Sequence, residues 1–187
     1  MKKLATILTA LILTTTLNTF AQSDTNEGSH SISISIPEVA LLDLEGGSSI
    51  NLAPSAPSEA GNPFDFSTAV DNSIWVNYSS VVASGRTRTV TAAITTGSVP
   101  TGMSLKVTAG SYAGSGNGTL GGATSQVTLS NSAQDIITGI GSCYTGNGAS
   151  NGHNLAYALE LDSNNDYDEL VQDNTSITVT YTLTDDN

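Results

Sequence analysis

Apolar and polar residues alternate with a period of two along most of this chain. Ser31-Ile-Ser-Ile-Ser-Ile36 alternates strictly, and near the other end Ile177, Val179, Tyr181 and Leu183 alternate with Thr178, Thr180, Thr182 and Thr184. Such a period places one set of side chains on one face of a half-buried strand. Further strands are predicted over residues 39–44, 73–82, 87–95, 104–109, 125–130, 135–140 and 153–161, all rich in β-branched and aromatic residues. Helical spacing is almost absent.

Clusters of Gly, Ser, Asn and Pro separate these runs, notably over residues 54–63, 97–102, 110–122 and 146–152. Many short strands with such punctuation predict an all-β domain, a two-sheet β-sandwich of about seven to nine strands. Trp75, inside Ile74-Trp-Val-Asn-Tyr78, is the expected core anchor. The three prolines of residues 53–63 predict a surface connection. Residues 110–122 read as loop, with Gly116-Asn-Gly118-Thr-Leu-Gly121 as a hairpin tip; no helix follows it, so it is not a dinucleotide turn.

The start of the chain changes the setting. Lys2 and Lys3, an apolar stretch to about Leu17, and small residues at Thr19 and Ala21 have the three parts of a secretory signal peptide over residues 1–21. The expected organisation is that signal, an N-terminal extension over 22–37, and one β domain over 38–187. Nothing later is apolar enough to span a bilayer as a helix. Without the signal, Arg86, Arg88 and Lys106 stand against 17 acids, three minus 17, a net charge of −14. Three cations make no basic patch, which excludes nucleic acid and anionic membrane as expected partners.

Candidate chemistry is sparse. Cys143 is the single cysteine, a free thiol that reads as a small buried hydrophobe. Gly148-Ala-Ser150-Asn-Gly152 matches a nucleophile elbow and His153 follows it, but the next segment alternates like a strand where an elbow needs a helix. Cys143 and His153 have no further support as a thiolate pair, so no enzyme and no cofactor is expected. The acidic run with Asp162, Asn164, Asp166 and Asp168 puts oxygen ligands at alternate positions, which suits calcium. Tyr167 stands where an EF-hand loop needs Gly and Asp173 where it needs Glu, so the alternatives are a solvated acidic loop and a calcium site of another geometry.

Three features carry a family resemblance. The ending Thr-Phe-Ala-Gln is similar to signals of Bacteroidetes exported proteins. The segment Ser29-His-Ser-Ile-Ser-Ile-Ser-Ile-Pro-Glu-Val-Ala-Leu-Leu-Asp-Leu44 resembles the N-terminal extension and first strand of chaperone-usher-type pilins, and the closing strand of residues 175–184 resembles the last strand of those subunits and of WxL-like modules. The resemblance implies an incomplete immunoglobulin-like sandwich exported through the periplasm. The chain departs from it in its lone Cys143 and in Asp186, where those pilins commonly carry a disulfide and a tyrosine next to the C-terminus.

The expected function is therefore an extracellular structural or adhesive surface subunit, a pilus-like filament component that self-associates. Ile32, Ile34 and Ile36 would be a strand donated to a neighbouring subunit; the competing reading is an ordinary first strand in its own sheet. The alternative function is a secreted carbohydrate- or ligand-binding β-sandwich, for which Tyr112, Tyr144 and Tyr167 are the available aromatics.

Overall fold

A computed structural model describes residues 26–162 and 166–186, except for the side chain of Asp166. The expected signal peptide, residues 1–21, lies outside the described residues. Two compact units meet between Ser35 and Ile36. In the first, residues 26–35 form no strand, and Ile32 and Ile34 are 75% and 84% exposed.

The second unit is all-β. Its strands are β1 (Val39–Glu45), β2 (Val70–Val81), β3 (Arg88–Thr96), β4 (Met103–Ala109), β5 (Asn117–Ala123), β6 (Val127–Thr128), β7 (Gln134–Tyr144), β8 (His153–Leu161) and β9 (Thr178–Asp185). They make one antiparallel sheet along the path β6-β4-β8-β2-β7-β3-β9, with β1 branching from β2 and β5 from β7. β2 is the junction: β1 runs along Trp75 to Val81, while the opposite edge pairs β8 at Val70 to Val76 and then β7 at Ser79 and Ser80. No described helix is long and apolar enough to cross a membrane.

The period of two assigns the core. Ile74, Val76 and Tyr78 of β2, Val90, Ala92 and Ile94 of β3, Leu105, Val107 and Ala109 of β4, and Leu155 and Tyr157 of β8 enter one buried cluster. Trp75 does not. It stands between Ile74 and Val76 on the other side of β2, beside Glu45 and Asn154, and is only partly buried, so the expected anchor is replaced by its neighbours. In β7, Ile136 and Ile137 are both fully buried although adjacent. The ladder to β3 shifts there, from Val90 opposite Ile137 to Thr91 opposite Asp135, and such a bulge puts the extra residue on the same side as its neighbour.

β5 corrects the expected loop. Pattern reading passes over it because it is mostly Gly, Asn and Thr, yet it pairs β7 from Asn117 opposite Tyr144 to Ala123 opposite Ile137. Glycine is what allows the pairing: a Cβ on Gly118 would lie 2.3 Å from the Ser142 carbonyl oxygen, and one on Gly116 2.1 Å from that of Tyr144. Residues 31–36, in contrast, are expected as a half-buried strand and carry no strand; Ile36 is 78% exposed. Their period supplies a face without a ladder partner among the described residues.

Arg88 ties the fold together at one end. Its side chain is buried and donates from Nη2 to Glu38 Oε1 and from Nε to Asp185 Oδ1, both at 2.6 Å, from Nη1 to the Val39 carbonyl, and from Nη1 to Ser80 Oγ at 3.2 Å. One guanidinium thereby joins the start of β1, the end of β2 and the end of β9.

Candidate functional site

A cleft of about 870 Å³ lies beside β9. Its floor includes Ile74, Leu105 and Tyr157, which belong to the buried core. One wall carries Leu44, at the end of β1, and Leu52; the other carries Ile177, Val179 and Tyr181. The wall exists because β9 is a terminal strand. Among the described residues it pairs β3 alone, from Arg88 opposite Asp185 to Thr96 opposite Thr178. Its inward residues follow the predicted register, yet only Tyr181 is buried, whereas Val179 and Leu183 are half-buried. The corresponding Val90 and Ala92 of β3, flanked on both edges, are fully buried.

A second buried feature is polar. His153 donates from Nδ1 to the Gly110 carbonyl at 2.8 Å, and its Nε2 lies 3.0 Å from the Tyr78 hydroxyl oxygen. That hydroxyl also contacts the Leu120 carbonyl, so β2, β5 and β8 share the cluster. Tyr112 packs edge-on against the imidazole and donates to the Thr145 carbonyl. Burial holds the His153 pKa below its ordinary value, against the opposing effect of the nearby Gly110 and Leu120 carbonyls. Burial raises Tyr78, with the nearby Cys143 and Tyr112 adding to the shift.

These contacts decide what the sequence-predicted residues can do. Ser150 is exposed on a turn at φ 67°, and β8 begins three residues later where an elbow would need a helix. Both His153 nitrogens serve other partners, so Ser150 and His153 are not joined as nucleophile and base. Cys143 is free and buried in β7, and burial pushes its thiol pKa up, opposite to the shift that activates a nucleophile. Of the calcium candidates, Asp162 and Asp168 are exposed, while Asn164 and the side chain of Asp166 lie outside the described residues. Tyr112, Tyr144 and Tyr167 sit on different elements; the Tyr167 hydroxyl accepts from the Phe64 amide at 3.4 Å, and Tyr144 is exposed at the end of β7.

The cleft and the Arg88 junction were not predicted. The cleft depends on which strand ends the sheet, which a single sequence does not state. Arg88 does carry a signal: it shares its parity with Val90, Ala92 and Ile94, so the alternation already places it on the inward side of β3.

Compared with known proteins, the chain matches no family model, no curated protein and no solved structure.

Proposed function

We propose that this protein is an extracellular structural or adhesive surface subunit that self-associates by donating residues 31–36 to a neighbouring copy. The observation that carries the reading is the state of Ile32, Ile34 and Ile36: three large apolar side chains in strict alternation, all at least three-quarters exposed, on backbone without a strand partner among the described residues. A segment written as half of a ladder gains main-chain hydrogen bonds and side-chain burial when it joins an open sheet edge. Burial of three isoleucines is worth roughly 5 to 9 kcal/mol before the cost of ordering the segment.

In this reading residues 1–21 direct export through the periplasm, residues 22–37 are the detachable extension, and residues 38–187 are an immunoglobulin-like β-sandwich. The branched sheet supports that architecture. On this reading β1, β2, β8, β4 and β6 would make one layer and β5, β7, β3 and β9 the other, with the sheet continuous where β2 meets β7. The Tyr157 and Tyr181 hydroxyls contact each other although β8 and β9 do not pair, as expected of facing layers. The subunit acts by assembly and no enzymatic role is assigned to it.

Deleting residues 22–37 tests the proposal. The truncated chain should remain folded and monomeric, fail to assemble at concentrations where the full chain does, and gain melting temperature when a peptide of residues 29–39 is added. Unchanged assembly after the deletion would remove the extension from the mechanism. The size of the cleft also supports a second reading, a secreted ligand- or carbohydrate-binding module, since small-molecule sites span roughly 300–1,000 Å³. Glycan-array binding by a stable monomer would favour it.

A further inference from the structure

We infer that the buried pair of Tyr78 and His153 is an acid-operated latch for β5: when the imidazole takes up a proton, the Tyr78 hydroxyl is committed to the Leu120 carbonyl and holds β5 more tightly. The latch stands independently of the donation reading and follows from a count of protons in a closed space. His153 is fully buried and Tyr78 is 3% exposed, so their polar atoms are satisfied within the cluster. The Gly110 carbonyl can only accept, which puts one proton on His153 Nδ1, 2.8 Å away. The Leu120 carbonyl also only accepts, and the Tyr78 hydroxyl is its partner. That hydroxyl has a single proton, yet it faces His153 Nε2 as well, at 3.0 Å. With a neutral ring, one proton stands between two acceptors and one of them goes without. A second proton on the ring removes the shortage. Nδ1 then donates to Gly110, Nε2 donates to the Tyr78 oxygen, and the Tyr78 proton goes to Leu120.

β5 is the strand that depends on such an attachment. Among the described residues it pairs β7 alone. Of its side chains, Leu120 packs against the core, while Gly118, Gly121 and Gly122 have none to contribute. Two tyrosines hold its backbone from the inside: Tyr78 at the Leu120 carbonyl and Tyr112 at the Gly116 amide, just ahead of the strand. Both rings lie against the imidazole with centroids 6.0 Å away, Tyr78 stacked and Tyr112 edge-on. One imidazole thus sits behind both attachments.

No other group in the cluster competes for the proton. His153 is faced by Tyr78 from β2 and by Tyr112 from the segment after β4; Cys143 of β7 lies near Tyr78, and β5 presents the Leu120 carbonyl. Phenols and thiols already hold their protons in acid. Among the described residues, no carboxylate or cation is a cause of the His153 shift. Burial opposes the charged ring more than the Gly110 and Leu120 carbonyls favour it, so the change falls below the ordinary value of 6.5. The proton therefore lowers the stability of the fold as a whole while strengthening one attachment of β5.

A pH titration by NMR tests the latch. A chain with His30→Gln keeps His153 as its single imidazole, so the ring nitrogen shifts report Nδ1 and Nε2 separately. The β5 amides report protection, corrected for the intrinsic pH dependence of exchange. The expected result is Nδ1 protonated and Nε2 bare above the transition, both protonated below it in a chain that is still folded, and severalfold stronger protection of β5 in the acid form. Tyr78→Phe then reads the sign of the coupling. It removes the acceptor for the Nε2 proton, so it should weaken proton binding by His153 by about tenfold or more. Stronger proton binding in Tyr78→Phe overturns the latch, because it shows that the hydroxyl serves the neutral ring. Unfolding before Nε2 takes its proton, or a protonated ring with β5 no better protected, overturns it in the chain that keeps Tyr78, whether or not the variant folds.

Discussion

Residues 31–36 and β9 are written in the same pattern and end in opposite states. Each alternates a branched or aromatic side chain with a small hydroxyl residue. In β9 the alternation is realised: Tyr181 is buried, Val179 and Leu183 pack against the core, and the threonines between them are exposed. In residues 31–36 the same alternation leaves every isoleucine exposed. Periodicity thus specifies a face and says nothing about where the partner is. β9 finds its partner in β3; under the donation proposal a second copy would supply the partner of the other segment.

Truncating each segment should separate the two most sharply. Tyr181→Ala should cost about 3–5 kcal/mol, the usual loss for removing a buried aromatic, and leaves the Tyr157 hydroxyl without its contact. Denaturant unfolding of the monomer measures it, and a loss below about 1 kcal/mol would show that β9 is not docked as described. Arg88→Leu should cost about 3 kcal/mol, because β1, β2 and β9 lose a shared buried donor. The same variant should loosen amide protection at the start of β1 before it does so in β4.

Within β9 the two faces can be set against each other. Val179→Asp should destabilise by about 1–3 kcal/mol, since it puts a carboxylate among the half-buried apolar side chains of β9, whereas Thr180→Asp should stay within about 0.5 kcal/mol. Equal losses would mean that the register is shifted by one residue.

The pH profile carries a smaller signal. The unfolded chain protonates His153 near its ordinary value of 6.5, whereas the buried ring resists protonation. The native state then binds fewer protons than the unfolded state as pH falls below about 6.5, so stability should decline there. At the alkaline end, Cys143, Tyr78, Tyr157 and Tyr181 all have raised pKa values and hold protons that the unfolded chain releases. Stability should decline again above about pH 9, and His153→Gln should flatten only the acid limb. Ile34→Ala has the smallest expected effect: less than about 0.5 kcal/mol on the dilute monomer, because the side chain packs on nothing there, but a clear loss of assembly at high concentration.

Most of the β architecture was legible because alternation and punctuation agree. β8 falls on the predicted residues, and β1, β3 and β4 differ only by a residue or two at their ends. β5 was illegible for a physical reason: Gly116 and Gly118 serve close backbone approach to β7, and glycine in a run reads as a loop. Trp75 misled because size suggests a core anchor while parity decides the face, and Ile74 and Val76 hold the inward parity. Ser150 and His153 stand three residues apart in sequence, but His153 opens β8, which turns the imidazole toward Tyr78. The cleft depends on β9 being a sheet terminus, a property of the assembled topology and of no local run of residues.

Hydrogen exchange of the Ile32, Ile34 and Ile36 amides, followed from dilute monomer to concentrated assembly, tests donation most directly. Slow exchange reports ladder hydrogen bonds whichever chain supplies the partner. These amides should exchange freely in the monomer and become protected only on assembly. Protection already complete in the dilute monomer, or free exchange persisting in the assembled protein, would contradict it.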